Sequence, residues 1–397
     1  MLSVIVSYKK QIYFYFILIL IFLLLVEISL RFIESECNFT DSEVFSHYNT
    51  FEKNKICSSY NKSLGNSLTY NNVILYLTPN YHSTHVNINS DGFRGDEISE
   101  KNKYTVIFLG GSTTFGIISS SDEKTIPALV KKKLNEENID VQVINAGIPA
   151  ATSIDELYLL ETNLLSYRPD LVIMYDGWND IGSRDKIKLN IDYEQFKKNT
   201  FLENSAKIQN ITSNSNSNSN SNSGTGILNF FVAIDYKTGI GMSLFFRDNL
   251  LLNSNIIKNE TYMPEYNFNT NLIQIENSLK NNWNTVCRMG EDNSFLTINI
   301  LHPSLGTGSR NLSNEEIIRM SLSNFRYDNL NYLQKFDIEK MKNSKCQNVL
   351  DLRNVFDDIN DKTIYFDEVH VSDYGNEIIS DKITSVLIPI IENNLQK

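Results

Sequence analysis

Three short runs of apolar and β-branched residues, with a helical pattern between each and the next, constrain this chain more than any other feature. Thr105-Val106-Ile107-Phe108-Leu109 ends in Gly110-Gly111, residues 141–144 form a second run, and Leu171-Val172-Ile173-Met174-Tyr175 lies between Pro169-Asp170 and Asp176-Gly177. Runs this short read as buried strands. Between them, Ile126-Pro127-Ala128-Leu129-Val130 opens a helix with its proline in the tolerant first turn. Ser153-x-x-Glu156 predicts a capping box that starts a helix through Leu157, Leu160 and Leu164. Alternating strands and helices, with strands apolar on both faces, predict an α/β chain with a parallel sheet covered on each side. The pattern resumes late, with strands expected over 295–301 and 349–352 and mostly helix over 315–333. A last helix over about 376–395 is expected to carry Ile378, Ile379, Ile383, Val386, Leu387, Ile390 and Ile391 on one face, and Pro389 is expected to kink it.

What lies around this framework bears on compartment. Residues 12–29 carry a single charge, Glu27, and 18 residues make ~27 Å of helix, enough to cross a hydrocarbon core. No small-x-small cleavage site follows, so 12–30 reads as a transmembrane signal anchor rather than a cleaved signal peptide. Lys9 and Lys10 before it, against Arg31 after it, keep 1–11 as a cytoplasmic tail and put 31–397 outside. All four cysteines (Cys37, Cys57, Cys287, Cys346) fall beyond the anchor, an even number suited to disulfides in an oxidising space. Three pairings are possible, and Cys37–Cys57 with Cys287–Cys346 is the least demanding because it joins sequence neighbours. No CxxC spacing exists, which argues against a metal site. Sequons at Asn38, Asn61, Asn210, Asn259 and Asn311 are compatible with a glycoprotein, although an Asn- and Ser-rich chain produces them by chance. A net charge of −11 excludes a generally basic, phosphate-neutralising surface, so no nucleic-acid partner is expected.

The organisation expected is thus a tail, an anchor, an extracytoplasmic segment over 31–100 and an α/β domain over 101–397. That domain is interrupted by an insertion at about 184–290, in which residues 213–223 alternate Ser and Asn as a flexible linker. Apolar stretches at 227–232 and 242–246 are compatible with a lid or with ordinary packing.

The chemistry concentrates at strand ends. Ser112 follows the first strand and two glycines, at the sheet edge where ligands of open α/β folds bind. A phosphate-binding loop would need Gly-Lys-Ser/Thr there, and no lysine follows, which disfavours a nucleotide binder. Of five histidines, only His370 has an aspartate three residues before it, Asp367; His47, His82, His85 and His302 lack such a partner. A nucleophilic serine needs a base and a third group that orients the base, and Asp367-x-x-His370 can supply both.

Gly110-Gly111-Ser112, Asn145-Ala146-Gly147, Gly177-Trp178-Asn179-Asp180 and Asp367-x-x-His370 resemble, in order, the four blocks of the SGNH (GDSL-type) hydrolases. Asn89-Ser90-Asp91-Gly92-Phe93-Arg94-Gly95 is similar to the lead-in of their membrane-anchored members. The resemblance covers about 85–182 and 294–392. It implies a flavodoxin-like three-layer αβα sandwich, Ser112 as nucleophile, His370 as base and Asp367 as its partner. It also implies an oxyanion hole of Ser112, Gly147 and Asn179, with Asp180 organising its loop and no cofactor or metal. The aspartate usual before the serine is Gly111 here. The function implied is an extracytoplasmic serine esterase acting on an O-acylated glycan or a lipid ester. An O-acyltransferase of surface glycans and a catalytically silent binding module remain alternatives.

Overall fold

The computed structural model describes residues 10–11, 13–22, 25, 43–46, 48–50, 52, 53, 56, 68–71, 74–83, 85–98, 103–182, 268–321 and 326–396. The chain divides into two compact units, 1–38 with 215–266 and 39–214 with 267–397. In the first unit the described residues from Tyr13 to Phe22 are helical and their apolar side chains are exposed. Among the described residues no helix is long and apolar enough to cross a membrane; much of the segment expected at 12–30 lies outside them.

The second unit is built on five parallel strands. In chain order its elements are hairpin strands β1 (Leu68–Asn71) and β2 (Ile74–Leu77), β3 (Tyr104–Gly110), α1 (Ser112–Phe115), α2 (Ile126–Glu136) and β4 (Val141–Asn145). Then come α3 (Ser153–Thr162), β5 (Leu171–Asp176), α4 (Trp178–Gly182), α5 (Phe268–Asn293), β6 (Leu296–Leu301) and α6 (Asn314–Ser321). Helix α7 (Tyr327–Lys335), β7 (Val349–Asp351) and α8 (Asp373–Leu395) complete it. The sheet order β4-β3-β5-β6-β7 is parallel throughout. Numbered within the sheet this is 2-1-3-4-5, the flavodoxin-like order, and it puts a topological switch between the ends of β3 and β5.

Strand periodicity explains the three layers. Side chains alternate across a strand, so Val106, Phe108, Leu171 and Ile173 face one core while Ile107, Leu109, Val172 and Met174 face the other. The first core takes Ile126, Val130 and Leu134 of α2 with Ile379, Ile383, Leu387 and Ile391 of α8. The second takes Leu157 and Leu160 of α3 with Leu279, Trp283 and Val286 of α5. All seven residues of β3 are buried, as an unbroken apolar run between two helical layers must be.

Several expectations need correction. The box that opens α3 is Thr152 with Asp155, one residue before the predicted frame, because the Ser153 hydroxyl is taken by Asp180. The helix predicted at 315–333 is two helices, α6 and α7. Helix α8 starts three residues earlier than predicted, capped by the Ser372 hydroxyl, and runs through Pro389 to Leu395. Helix α5 occupies the last part of the stretch read as an insertion at 184–290. From Ile275 onward it is core, with Ile275, Leu279, Trp283 and Val286 buried at helical spacing. The remainder of that stretch before residue 268, Ser/Asn linker included, lies outside the described residues. The segment over 31–100 is likewise not separate from the α/β domain: Val44, Phe45, Tyr48, Val86, Ile88 and Phe93 are buried in the core that holds Ile107 and Leu109.

Cys287 on α5 is disulfide-bonded to Cys346, just before β7, with Cα atoms 5.5 Å apart. Closing a loop across 59 positions removes about 4 kcal/mol of unfolded-state entropy in the chain-entropy account. Cys37 and Cys57 lie outside the described residues.

Candidate active site

Ser112 is the first residue of α1 and stands at the carboxyl end of β3. Its neighbours arrive from the far end of the chain. Residues 366–370 form a turn ahead of α8, closed by the Phe366 N–H on the His370 carbonyl at 2.8 Å and by a bridge between Tyr365 and Val371. That turn presents His370 so that its Nε2 lies 2.7 Å from Ser112 Oγ. His370 Nδ1 lies 2.7 Å from Asp367 Oδ2, while Asp367 Oδ1 accepts the Val369 and His370 N–H groups at 2.9 and 2.8 Å.

The Asp367 side chain keeps 37% of its exposure. Desolvation by the surrounding protein works to raise its pKa, but the His370 charge and the three hydrogen bonds outweigh it and hold the carboxyl at about 2. Asp367 is therefore ionised at any working pH and fixes the Nδ1–H form of the imidazole, leaving Nε2 to take a proton from Ser112.

Asn179, second residue of α4, donates its Nδ2–H to the Ala151 carbonyl at 2.8 Å and lines the cleft at Ser112 with Gly111, Ala151, Trp178 and His302. A Cβ on Gly111 would sit 2.3 Å from Asn179 Nδ2. A side chain at position 111 would have to push that amide aside. Gly147 is not at the cleft. Its N–H is bonded to Asn145 Oδ1 at 3.1 Å, and a Cβ there would meet the Phe115 nitrogen at 2.3 Å. Gly147 lets β4 pack against the back of α1, and the backbone that lines the cleft from this side is Ala151. The adjoining Ala150 sits at φ 65°, the left-handed turn that brings the chain round.

Sequence reasoning missed the floor of the site. Asp176 at the end of β5 accepts the Trp283 indole N–H at 2.6 Å, and Asp180 accepts the Ser153 N–H at 3.2 Å and its hydroxyl at 2.5 Å. Asn282 donates to the same Ser153 hydroxyl at 2.8 Å. Glu156 on α3 is buried beside them. The helical spacing of Ile275, Leu279, Trp283 and Val286 was the signal that could have found α5, but the polar stretch before it masked the pattern. His302, at the end of β6, was passed over because it lacks an aspartate partner.

These buried carboxyls set a pH response. Desolvation, then the Asp176 charge, raises the Asp180 pKa to about 8, against the Ser153 bonds that lower it, and burial raises Asp176 and Glu156 as well. A folded-state pKa above the unfolded one means the folded chain holds a proton that the unfolded chain has released. The stability that this group contributes is fully present below the unfolded carboxylate pKa and is lost as pH rises through about 8. At about pH 6.5 the slope for the Asp180 proton is ~1.4 kcal/mol per unit, and it falls to about half of that by about pH 8. Asp180→Asn, whose amide oxygen can still accept from Ser153, is expected to flatten that slope in urea titrations across this window. An unchanged slope would place the proton elsewhere.

Among solved structures, the chain is similar to an acetyl xylan esterase, AlAXEase, at 17% identity over 72% of this chain and 100% of the other, TM-score 0.38. It is similar to a G-D-S-L-family protein from Desulfitobacterium hafniense at 13% identity over 72% and 99%, TM-score 0.35. A lipase/acylhydrolase from Enterococcus faecalis matches at 16% identity over 71% and 94%, TM-score 0.37. Neither a protein-family model nor a curated protein sequence matches the chain.

Proposed function

We propose that this chain is a serine ester hydrolase of the SGNH type that works through an acyl-serine intermediate. The observation that carries the reading is the Ser112–His370–Asp367 relay, with both heavy-atom distances at 2.7 Å. His370 Nε2 takes the Ser112 proton as Oγ attacks the ester carbonyl carbon. The oxyanion that forms is held by the Ser112 N–H and by the Asn179 amide, each such donor lowering the barrier by ~3–4 kcal/mol. His370 then protonates the departing alkoxide, leaving the acyl group on Ser112. Water enters, His370 takes one of its protons, and the carboxylic acid leaves as Ser112 regains its own. Asp367 holds the tautomer throughout. No metal or cofactor enters these steps.

We place this chemistry outside the cytoplasmic membrane, with residues 12–30 as the anchor and an O-acylated surface glycan or a lipid ester as substrate. The exposed apolar helix at Tyr13–Phe22 and the Cys287–Cys346 disulfide support that location. The test uses the full chain with 4-nitrophenyl acetate and a fluorophosphonate probe. Hydrolysis, with the probe on Ser112 by mass spectrometry, is the expected result. Labelling without hydrolysis would redirect the reading to an acyltransferase. A folded protein that neither hydrolyses nor labels would leave the silent binding module.

A further inference from the structure

His302 lies between the catalytic turn and the loop that carries Asn179, and nothing in the relay uses it. It follows β6, its own N–H extends the strand pairing onto the Asp176 carbonyl at 3.0 Å, and its side chain is buried. Both ring nitrogens are engaged. Nδ1 meets the Pro303 carbonyl at 3.0 Å, an acceptor, so Nδ1 bears the hydrogen. Nε2 lies 2.9 Å from the Trp178 N–H, a donor, so Nε2 presents its lone pair. The two partners admit one form only, the neutral imidazole with hydrogen on Nδ1.

Trp178 N–H is the first amide of α4, and first-turn amides have no partner within their own helix. A buried amide left unpaired is costly, so whichever group accepts from it sets where the helix starts. Asn179 is the next residue. We infer that His302 is a positioning residue, whose Nε2 accepts the Trp178 N–H and thereby fixes the loop that aims the Asn179 amide at Ser112. This rests on the hydrolase reading for its catalytic consequence, though not for its geometry. The Tyr175 ring lies 5.5 Å from the imidazole, centroid to centroid, and supports it from β5. Burial, with a contribution from the His370 charge, pushes His302 down to about 4 against the Pro303 bond, so the acceptor persists across the working range.

The experiment compares the wild-type full chain with His302→Phe, which keeps a ring but removes the acceptor, and His302→Gln, whose side-chain carbonyl can accept. With 4-nitrophenyl acetate, His302→Phe is expected to lower kcat about 10²-fold, as loss of one oxyanion donor does, with KM within about threefold. His302→Gln is expected to recover at least about tenfold of that loss. A residue that merely fills the core predicts the reverse, Phe tolerated and Gln impaired, and that order overturns the inference. So does a His302→Phe kcat within about twofold of wild type. If His302→Phe fails to fold, a folded His302→Gln with kcat within about tenfold of wild type supports the inference, and a larger loss overturns it. A readout independent of turnover is the nitrogen-15 spectrum of the wild-type imidazole. It should show hydrogen on Nδ1 alone from about pH 8 to about pH 5. Hydrogen on Nε2, or titration near 6.5, overturns the inference. If the wild type neither turns over nor labels, the hydrolase reading fails, while the positioning of the loop is still decided by the spectrum.

Discussion

Ser112→Ala is expected to lower kcat for an aryl acetate by up to about 10⁶-fold, with the urea midpoint close to that of wild type. The magnitude follows from the geometry. Ser112 Oγ is the only atom of the site aligned with His370 Nε2 at 2.7 Å among the described residues, so water attack left in the variant has no activated nucleophile to replace it. His370→Ala should cost a similar factor and Ser112→Ala/His370→Ala no more than either single change, because the two act as one unit. Asp367→Asn should be milder, about 10⁴-fold, since the amide leaves the ring in place but can donate to Nδ1 and favour the wrong tautomer. If Ser112→Ala kept a tenth or more of wild-type turnover, the relay would not be the catalytic apparatus. A fall in urea midpoint that tracks the fall in kcat would instead mean lost folding.

The parts legible in the sequence were those where one local rule decides the outcome. Ile107 and Leu109 could be assigned to one face and Val106 and Phe108 to the other because strand alternation leaves no choice, and β5 repeats the pattern. His370 could be singled out because Asp367 sits one turn before it. What failed were choices between neighbouring residues of similar chemistry. Thr152 and Ser153 can each cap a helix, and the Asp180 carboxylate 27 residues away decides which one does. Gly147 enters as an oxyanion donor only through the family resemblance, and its N–H is bonded to Asn145 Oδ1. Close packing against Phe115 explains this glycine instead, and the left-handed residue at the turn is Ala150, which composition alone would not suggest. His302 shows the same limit, since its partners are backbone atoms of Trp178 and Pro303 that leave no mark in the sequence. Each miss depends on a contact between residues distant in the chain or on backbone geometry, not on local composition.

Arg94 is where the lead-in segment is joined to the turn that follows Ser112, and Arg94→Met is expected to cost about 3–5 kcal/mol in urea unfolding. The side chain is 1% exposed. Its Nε donates to Asp122 Oδ1 at 2.7 Å, one terminal nitrogen to the Phe115 and Gly116 carbonyls at 2.9 and 2.6 Å, and the other to the His85 carbonyl at 3.0 Å. The guanidinium also lies 4.9 Å from the centroid of the Phe115 ring. Burial pulls the Arg94 pKa down and the Asp122 charge pushes back, which marks a cation held in place by its partners. Methionine fills much of the volume but takes one donor from each of three carbonyls, leaving Gly116 with the Ser119 N–H and Phe115 with the Asn145 amide, and leaves Asp122 without its cation. Arg94→Lys should recover little, because a single ammonium cannot span four acceptors set in a fork. Asp122→Asn strands the guanidinium instead, so the double variant Arg94→Met/Asp122→Asn should lose less than the two singles added together. Because Phe115 and Gly116 close the turn that begins at Ser112, the folded Arg94→Met protein should also turn over more slowly than wild type. A cost below about 1 kcal/mol would mean that water or relaxation satisfies these groups, and the lead-in would then be packing rather than a clamp.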